Sequence, residues 1–328
     1  MTTSLDDIGF YTLTDQRAGK ANSETPLWRC ELLLTDKCNF RCSYCRGPKA
    51  GYAGSLALEE AKSVIDIWAA ENVQNVRFSG GEPIYWKGLE DLVKYTAQRG
   101  IKRVAISTNG SGDLETYLAI HRAGVTDFSI SLDACCSEVG DAMSGGIKGV
   151  WEKLTDNIRA LTALTYVTVG VVLLEENINQ FNRIIEFAND DLGVADIRVI
   201  SAAQWNEKLP DKVLIREDIL DRNPILNYRI GNLKRGRHVR GIKMEDSHKC
   251  PLVLDDMAVL GGHHFPCIIY LREHGAPIGG LDKNVRADRK AWFKKHNTYE
   301  DPICRNNCLD VCIDYNNKWR ETNARNRV

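Results

Sequence analysis

Residues 30–45 read Cys-Glu-Leu-Leu-Leu-Thr-Asp-Lys-Cys-Asn-Phe-Arg-Cys-Ser-Tyr-Cys. The first half, 30–35, is a short apolar run of strand type. The second half is a polar loop with cysteines at 38, 42 and 45. Strand then loop is a unit that the chain repeats. Runs rich in Val, Ile and Phe at 75–79, 103–107, 127–132, 166–174 and 196–201 predict five more strands. Helical patterns lie between them at 56–70, 88–98, 114–122, 151–164 and 179–190. In 56–70, Leu58, Ala61, Ile65 and Trp68 recur at helical spacing, and Glu59 and Glu60 suit the positive end of that helix. Gly100 and Gly124 fall where two helices should stop. Six strands alternating with helices predict an α/β fold of parallel βαβ units. Periodicity does not choose between an open sheet and a barrel. In both, the functional loops follow the C-terminal ends of the strands.

The pattern breaks down after about residue 202. Residues 203–249 are polar, with a basic stretch from Arg229 to Lys243, and 250–328 hold five cysteines and few apolar runs. Three parts are expected: 1–205, a connecting and covering segment 206–249, and a tail 250–328. A tail with so little core needs staples, and metal ligation is the usual one. Hydrophobic residues make up 43% of the 328, enough to bury a core and exclude a disordered chain. Lys+Arg number 43 against 44 Asp+Glu, so no global basic field argues for nonspecific nucleic-acid binding. No apolar run reaches the roughly 18 residues of a membrane span. The opening Met1–Asp7 lacks a charged and an apolar signal region, so a cytoplasmic location is expected. The chain has eleven cysteines, an odd total and no secretory context, which favours metal ligation or reactive thiols over disulfides.

Cys38, Cys42 and Cys45 have the spacing CxxxCxxC. Three thiolates on one compact loop can hold three irons of a [4Fe–4S] cube, leaving the fourth iron open. Zinc normally takes four protein ligands in a structural site, and the loop has no fourth.

The loop resembles the signature of the radical S-adenosylmethionine (SAM) enzymes, including the aromatic Tyr44 before the last cysteine. Phe78-Ser-Gly-Gly-Glu-Pro83 is similar to that family's GGEP motif, and Ile106–Gly110 and Ser129–Asp133 follow in the family's order. The resemblance covers about residues 30–200. It implies a partial (βα)6 TIM-like barrel with a [4Fe–4S] cluster at its mouth, whose open iron chelates SAM. It also implies a SAM site made of Tyr44, Gly80, Gly81, Glu82, Pro83, Ser107, Thr108, Asn109, Ser131 and Asp133. Gly80 and Gly81 would leave the backbone open to a ligand amine, and Glu82 would orient that ammonium. Each of these residues also reads as a turn former or helix cap.

In the tail, Cys250, Gly262 and Cys267 give C-x11-G-x4-C, and Cys304, Cys308 and Cys312 give CxxxCxxxC. This resembles the auxiliary-cluster extension of the SPASM and twitch subgroups. Five cysteines are fewer than a full SPASM domain uses, so the resemblance implies one auxiliary [4Fe–4S] cluster on four of the five. The alternative is structural zinc, with His263 and His264 near Cys267 as further ligands. Cys30 reads as a buried core thiol. Cys135 and Cys136 follow Asp133 and are candidate hydrogen-atom donors to a substrate radical, or else packing residues. Arg229, Lys234, Arg235, Arg237, His238, Arg240 and Lys243 could hold an anionic substrate, or form a solvated face.

The family resemblance implies SAM cleavage to a 5′-deoxyadenosyl radical that abstracts hydrogen from a substrate C–H bond. About 25 residues precede the first strand, which is short for a peptide-recognition domain. A small polar substrate is therefore expected: a sugar, aminocyclitol or nucleotide undergoing dehydrogenation or epimerisation. An external one-electron donor of flavodoxin or ferredoxin type would be the partner. The alternatives are a peptide or protein maturase, a nucleobase- or DNA-modifying enzyme, and a non-enzymatic cysteine-rich metal protein.

Overall fold

The computed structural model describes residues 15–22, 24–47, 54–205, 210 and 212–325. The opening Met1–Asp7 and the expected boundary at 206 lie outside the described residues.

All six expected strands form: β1 (Arg29–Thr35), β2 (Asn75–Gly80), β3 (Arg103–Thr108), β4 (Asp127–Ser131), β5 (Tyr166–Leu173) and β6 (Asp196–Ser201). They lie side by side in chain order, and every neighbouring pair is parallel. An open doubly wound sheet reverses its strand order at a switch point. An order with no reversal is the winding of a barrel, here a partial (βα)6 barrel.

Side-chain alternation divides each strand. Cys30, Leu32, Leu34, Val76, Phe78, Val104, Ile106, Phe128, Ile130, Val169 and Ile197 face outward into one apolar core. There they pack with Ala61, Ile65 and Trp68 of the helix Leu58–Ala70, Leu92 and Val93 of Leu89–Gln98, and Ile158 and Leu161 of Val150–Thr162. Cys30 is the buried core thiol expected. Many of the residues between them face the barrel's interior and are polar: Arg29, Glu31, Arg77, Ser79, Asp127, Ser129, Thr168, Asp196 and Arg198, with Val172 and Ile200 as apolar members of the cavity wall and Leu33 packed on Ala258, Leu260 and Phe265. A filled barrel core has branched apolar layers there. This one has a polar lumen.

Two helical expectations change. Residues 179–190 form a 3-10 turn (Ile178–Gln180), a short α-helix (Phe181–Glu186) and a π-turn (Phe187–Asp191) rather than one helix. A helix at Ser137–Met143, without a buried apolar stripe, escaped the periodicity. The tail joins the barrel's own sheet. β7 (Asp256–Leu260) pairs parallel to β1, and β8 (His263–Phe265) and β9 (Gly279–Gly280) extend it antiparallel. Arg29 at the start of β1 bonds Asp256 at the start of β7 at 3.0 Å. The helix Asp310–Arg325 is tied to the helix Pro224–Lys234 by the buried Arg229–Asp310 pair. Among the described residues, no helix is long and apolar enough to cross a membrane.

Candidate active site

The C-terminal ends of β1 to β6 surround a cavity of about 360 Å3. Its wall contains Cys38, Cys42, Cys45 and Tyr44 from the loop after β1, and Gly80, Gly81 and Glu82 from the turn after β2. Ser107, Thr108 and Asn109 come from the end of β3, and Ser131 and Asp133 from the end of β4. Four separate sequence signals thus meet on one surface. Of the expected residues, Pro83 is absent from the wall; it is buried in the 3-10 turn Pro83–Tyr85.

The glycine pair sits there for a reason different from the one expected. A Cβ on Gly81 would lie 2.2 Å from the Lys37 carbonyl oxygen, and one on Gly80 would lie 2.3 Å from that of Thr35. Gly81 N–H donates to Thr35 O at 2.6 Å, and Glu82 N–H to Lys37 O at 2.8 Å. The glycines let two backbones touch, so the turn after β2 clamps the loop that carries the cysteines. Glu82 likewise presents no free carboxylate. It is fully buried and accepts from Thr108 Oγ1 (2.6 Å), Asn109 N–H (2.6 Å) and Ile84 N–H (3.2 Å). Burial pushes its carboxyl up to about 7, against those three hydrogen bonds. Glu82 is a strut between the β2 and β3 loops.

Asn109 extends the same framework to the cysteines. Its Nδ2 donates to Asn39 Oδ1 at 2.9 Å and approaches Cys38 Sγ at 3.8 Å, while Asn39 Nδ2 donates to Ser111 Oγ at 2.9 Å. The Tyr44 hydroxyl donates to Asp133, which also accepts from Val172 N–H at 2.7 Å. Asp133 is pushed up to about 6 by burial. Asn39, Ser111 and Asn177, whose side chain bonds Asp133 O at 2.8 Å, were missed from sequence. Single amides in loops carry no periodic signal.

Burial pushes Cys42 up to about 12, with Asp133 adding to it, and raises Cys38. Thiolates rather than thiols ligate metal. A metal held there would have to draw the protons off with its own charge. The donor set fits a three-ligand cluster: three thiols from one loop on one cavity wall, with hydrogen bonds from Phe40 N–H and Asn109 toward Cys38.

All five tail cysteines line a second cavity of about 30 Å3, otherwise walled by apolar residues such as Leu252, Val253, Trp292 and Ile303. Sequence spacing left Cys304, Cys308 and Cys312 unplaced relative to Cys250 and Cys267, and the fold brings all five together. His263 and His264 are not in that wall. His264 is buried against Arg289, its Nδ1 3.2 Å from Nη1, and burial beside that guanidinium pushes it down to about 3. The histidine near a tail cysteine is His296, with Nε2 3.7 Å from Cys304 Sγ and 3.5 Å from Asp301. A third cavity of about 130 Å3 lies between these two. Cys267 and Cys312 line it from one side, and Glu31, Arg77, Arg198 and Ile200, shared with the first cavity, from the other.

Two other expectations lose their geometry. Cys135 and Cys136 are in none of these walls; both thiols point at Gln180 Oε1, at 3.3 and 3.9 Å. The chain turns them outward past Asp133, where Cys135 packs on the helix-side core. The basic stretch is largely spent on the tail: Arg229 pairs with Asp310, Arg237 with Asp314 (2.7 Å), and Arg235 donates to Asn232 (2.6 Å). Of that stretch only Arg240 reaches the first cavity, and Arg229 the third.

Residues 32–188 match the Radical SAM superfamily. The chain is 28% identical over 241 residues to GTP 3′,8-cyclase 3 of Mycobacterium bovis, covering 64% of this chain and 62% of that protein. It is 33% identical over 168 residues to GTP 3′,8-cyclase of Synechococcus elongatus, covering 48% and 50%. The chain thus spans less than two thirds of the length of these relatives. The crystal structure of Streptococcus suis SuiB, also solved bound to S-adenosylmethionine, shares the fold with a TM-score of 0.59 at 14% identity, over 85% of this chain and 67% of that one.

Proposed function

The chain belongs to the Radical SAM superfamily, and from that premise we propose that it is an enzyme acting on a small polar substrate, of nucleotide or sugar class, held in the barrel lumen. As in that family, its cofactors are a [4Fe–4S] cluster and SAM. The observation that carries the reading is the pair of adjoining cavities, one on the Cys38–Cys45 loop and one on Cys267 and Cys312, that share Glu31, Arg77 and Arg198 in otherwise largely apolar walls.

When bound, the cluster and SAM supply a 5′-deoxyadenosyl radical that takes a hydrogen atom from a substrate carbon. Cys38, Cys42 and Cys45 would hold that cluster. Asn109 and the clamp from Gly81 to Thr35 hold the loop in place, and the buried Glu82 keeps the clamp rigid. Ser107, Ser131 and the Tyr44–Asp133 pair offer hydrogen bonds along the wall nearest the cysteines. Cys250, Cys267, Cys304, Cys308 and Cys312 would supply four ligands to one auxiliary cluster, the mark of the SPASM and twitch subgroups. Cys267 and Cys312 line the third cavity beside Glu31 and Arg198, so a cluster held there would supply a one-electron acceptor next to the lumen. This supports net dehydrogenation over epimerisation, since Cys135 and Cys136 are outside the lumen. A flavodoxin- or ferredoxin-type protein would deliver the initiating electron.

A peptide substrate is the second reading. SuiB has been solved with its precursor peptide SuiA, but that likeness is one of fold alone, and the sequence relatives are named for a nucleotide. The test is anaerobic reconstitution, iron counting and product analysis in deuterated solvent. About eight irons per chain fit two clusters, and Cys42→Ala should release no 5′-deoxyadenosine. Net oxidation without solvent deuterium in the product supports dehydrogenation. Zinc in place of iron, with no 5′-deoxyadenosine from the wild type, would sink the enzyme reading.

A further inference from the structure

The lumen's charges are unevenly matched. Arg29 pairs with Asp256 and Arg229 with Asp310. Glu31 accepts from Ser79 Oγ at 2.6 Å, and Asp196 accepts backbone N–H groups of Ile197, Ile225 and Leu226. Asp127 has the positive charges of Arg77 and Arg103 beside it. Arg198 stands apart. It makes no hydrogen bond or ion pair with any described residue, and its Nε is buried without a partner. It lines both the first and the third cavity. Its strand register runs Ser131–Gly170–Arg198 across β4, β5 and β6, which puts it on the rung of a wall residue of the first cavity. Its guanidinium lies across Gly170, where a Cβ would come within 2.9 Å of Nη2. Arg77 faces the same space from β2. Arg272 reaches the cavity with its Nη atoms bonded only to the carbonyls of Arg46 (3.1 Å) and Gly80 (2.9 Å), so its charge meets no carboxylate.

Holding a guanidinium half-buried with no anion bonded to it is costly. Its planar fork of donors matches a phosphoryl or carboxylate group. We propose that the substrate carries an oxyanion, and that Arg198, flanked by Arg77 and set in place by the gap at Gly170, holds it. The inference rests on the lumen being the substrate site and adds the substrate's charge and its anchor.

The test is calorimetric titration of the anaerobically reconstituted full chain with pyrophosphate and, separately, malonate at low salt. At least one should bind, and Arg198→Gln should weaken it by at least about tenfold. Gly170→Val, which displaces the guanidinium and keeps its charge, should weaken it too. Arg216→Gln, a surface arginine paired with Asp190 and Asp218, should bind as wild type does. Pyrophosphate binding more tightly assigns the group as phosphoryl; malonate binding more tightly assigns it as carboxylate. The proposal is overturned if neither anion binds, or if Arg198→Gln binds like wild type. It is also overturned if Arg198→Gln loses SAM and anion affinity in parallel, which would put Arg198 on the cofactor. Wild-type protein that releases 5′-deoxyadenosine yet binds neither anion defeats this inference and leaves the enzyme reading standing.

Discussion

Gly81→Ala tests the claim that the glycine pair serves a clamp between two loops. The added Cβ would sit 2.2 Å from Lys37 O, 2.6 Å from Lys37 C and 2.8 Å from Asp36 O. All three are backbone atoms, so no side chain can swing aside. Ordinary contact needs more than 3 Å, and the loop before Cys38 must retreat by roughly 1 Å, at the 1–3 kcal/mol typical of overpacking. The retreat breaks Gly81 N–H to Thr35 O and Glu82 N–H to Lys37 O. Each net loss is about 1 kcal/mol, more if the donor stays buried and unpaired. The sum is about 3–5 kcal/mol, a large share of a typical 5–15 kcal/mol, and lowers the melting temperature by roughly 10 °C. Because Cys38 follows Lys37 directly, iron loading at the Cys38–Cys45 loop should fall with it. The assay is thermal melting of the apoprotein with iron counts after reconstitution. Gly47→Ala is the control: it lies in the same loop with nothing within 4 Å of its Cβ position, and should change stability by less than about 0.5 kcal/mol. Gly81→Ala protein that melts and loads iron like wild type would refute the clamp.

Breaking the buried Arg229–Asp310 pair with Asp310→Leu alone should cost about 3–5 kcal/mol in denaturant unfolding, while Arg229→Met with Asp310→Leu should recover most of it, because the single change strands a buried charge. Asp196 is pushed up to about 6 by burial, above its ordinary 3.8. The folded state then binds the extra proton, so the Asp196 contribution to stability should fall as pH rises from about 4 to 6, by roughly 3 kcal/mol. Glu82 and Asp133, also raised by burial, add slope of the same sign, so Asp196→Asn should show a shallower slope than wild type in urea titrations, and equal slopes would count against it. Cys250→Ala should leave about four irons of about eight, retain SAM cleavage and lose product formation; full iron retention would remove Cys250 from the auxiliary site.

What could be read in the sequence follows from which signals are local. The outward faces of β1 to β6 are made of Val, Ile, Leu and Phe at alternate positions, so strand positions were legible to within a residue or two. The barrel winding was not legible in these local patterns, because it lies in strand order, which no local pattern carries. Cys38, Cys42 and Cys45, and the ends of β2, β3 and β4, were legible because loops after parallel strands converge in either α/β architecture. The roles of Gly81 and Glu82 were not. The sequence shows that a glycine and a carboxylate are present; only the packing shows that the space beside Gly81 is filled by Lys37 and that three donors occupy Glu82. The basic stretch stayed open between two readings for the converse reason. Arg229 and Arg237 look like an anion site until Asp310 and Asp314, more than seventy residues later, are folded onto them.

The polar lumen ties these observations together. An interior of Arg, Glu, Asp, Ser and Thr stabilises a barrel less than layers of Val and Ile would, so the fold must draw its stability elsewhere. It does so from the continuous outer core, from β7 added beside β1, and from the tail helix held by Arg229–Asp310. Nearly every charge inside is matched within the chain, Arg29 by Asp256 and Asp196 by a helix N-terminus. Against that background Arg198 stands out, lacking even the carbonyl partners that Arg272 has, and Gly170 beside it removes the side chain that would displace it. A position left unmatched among matched ones, on the wall shared by the cavity of the loop cysteines and the cavity of Cys267 and Cys312, is where a charged ligand would complete the interior.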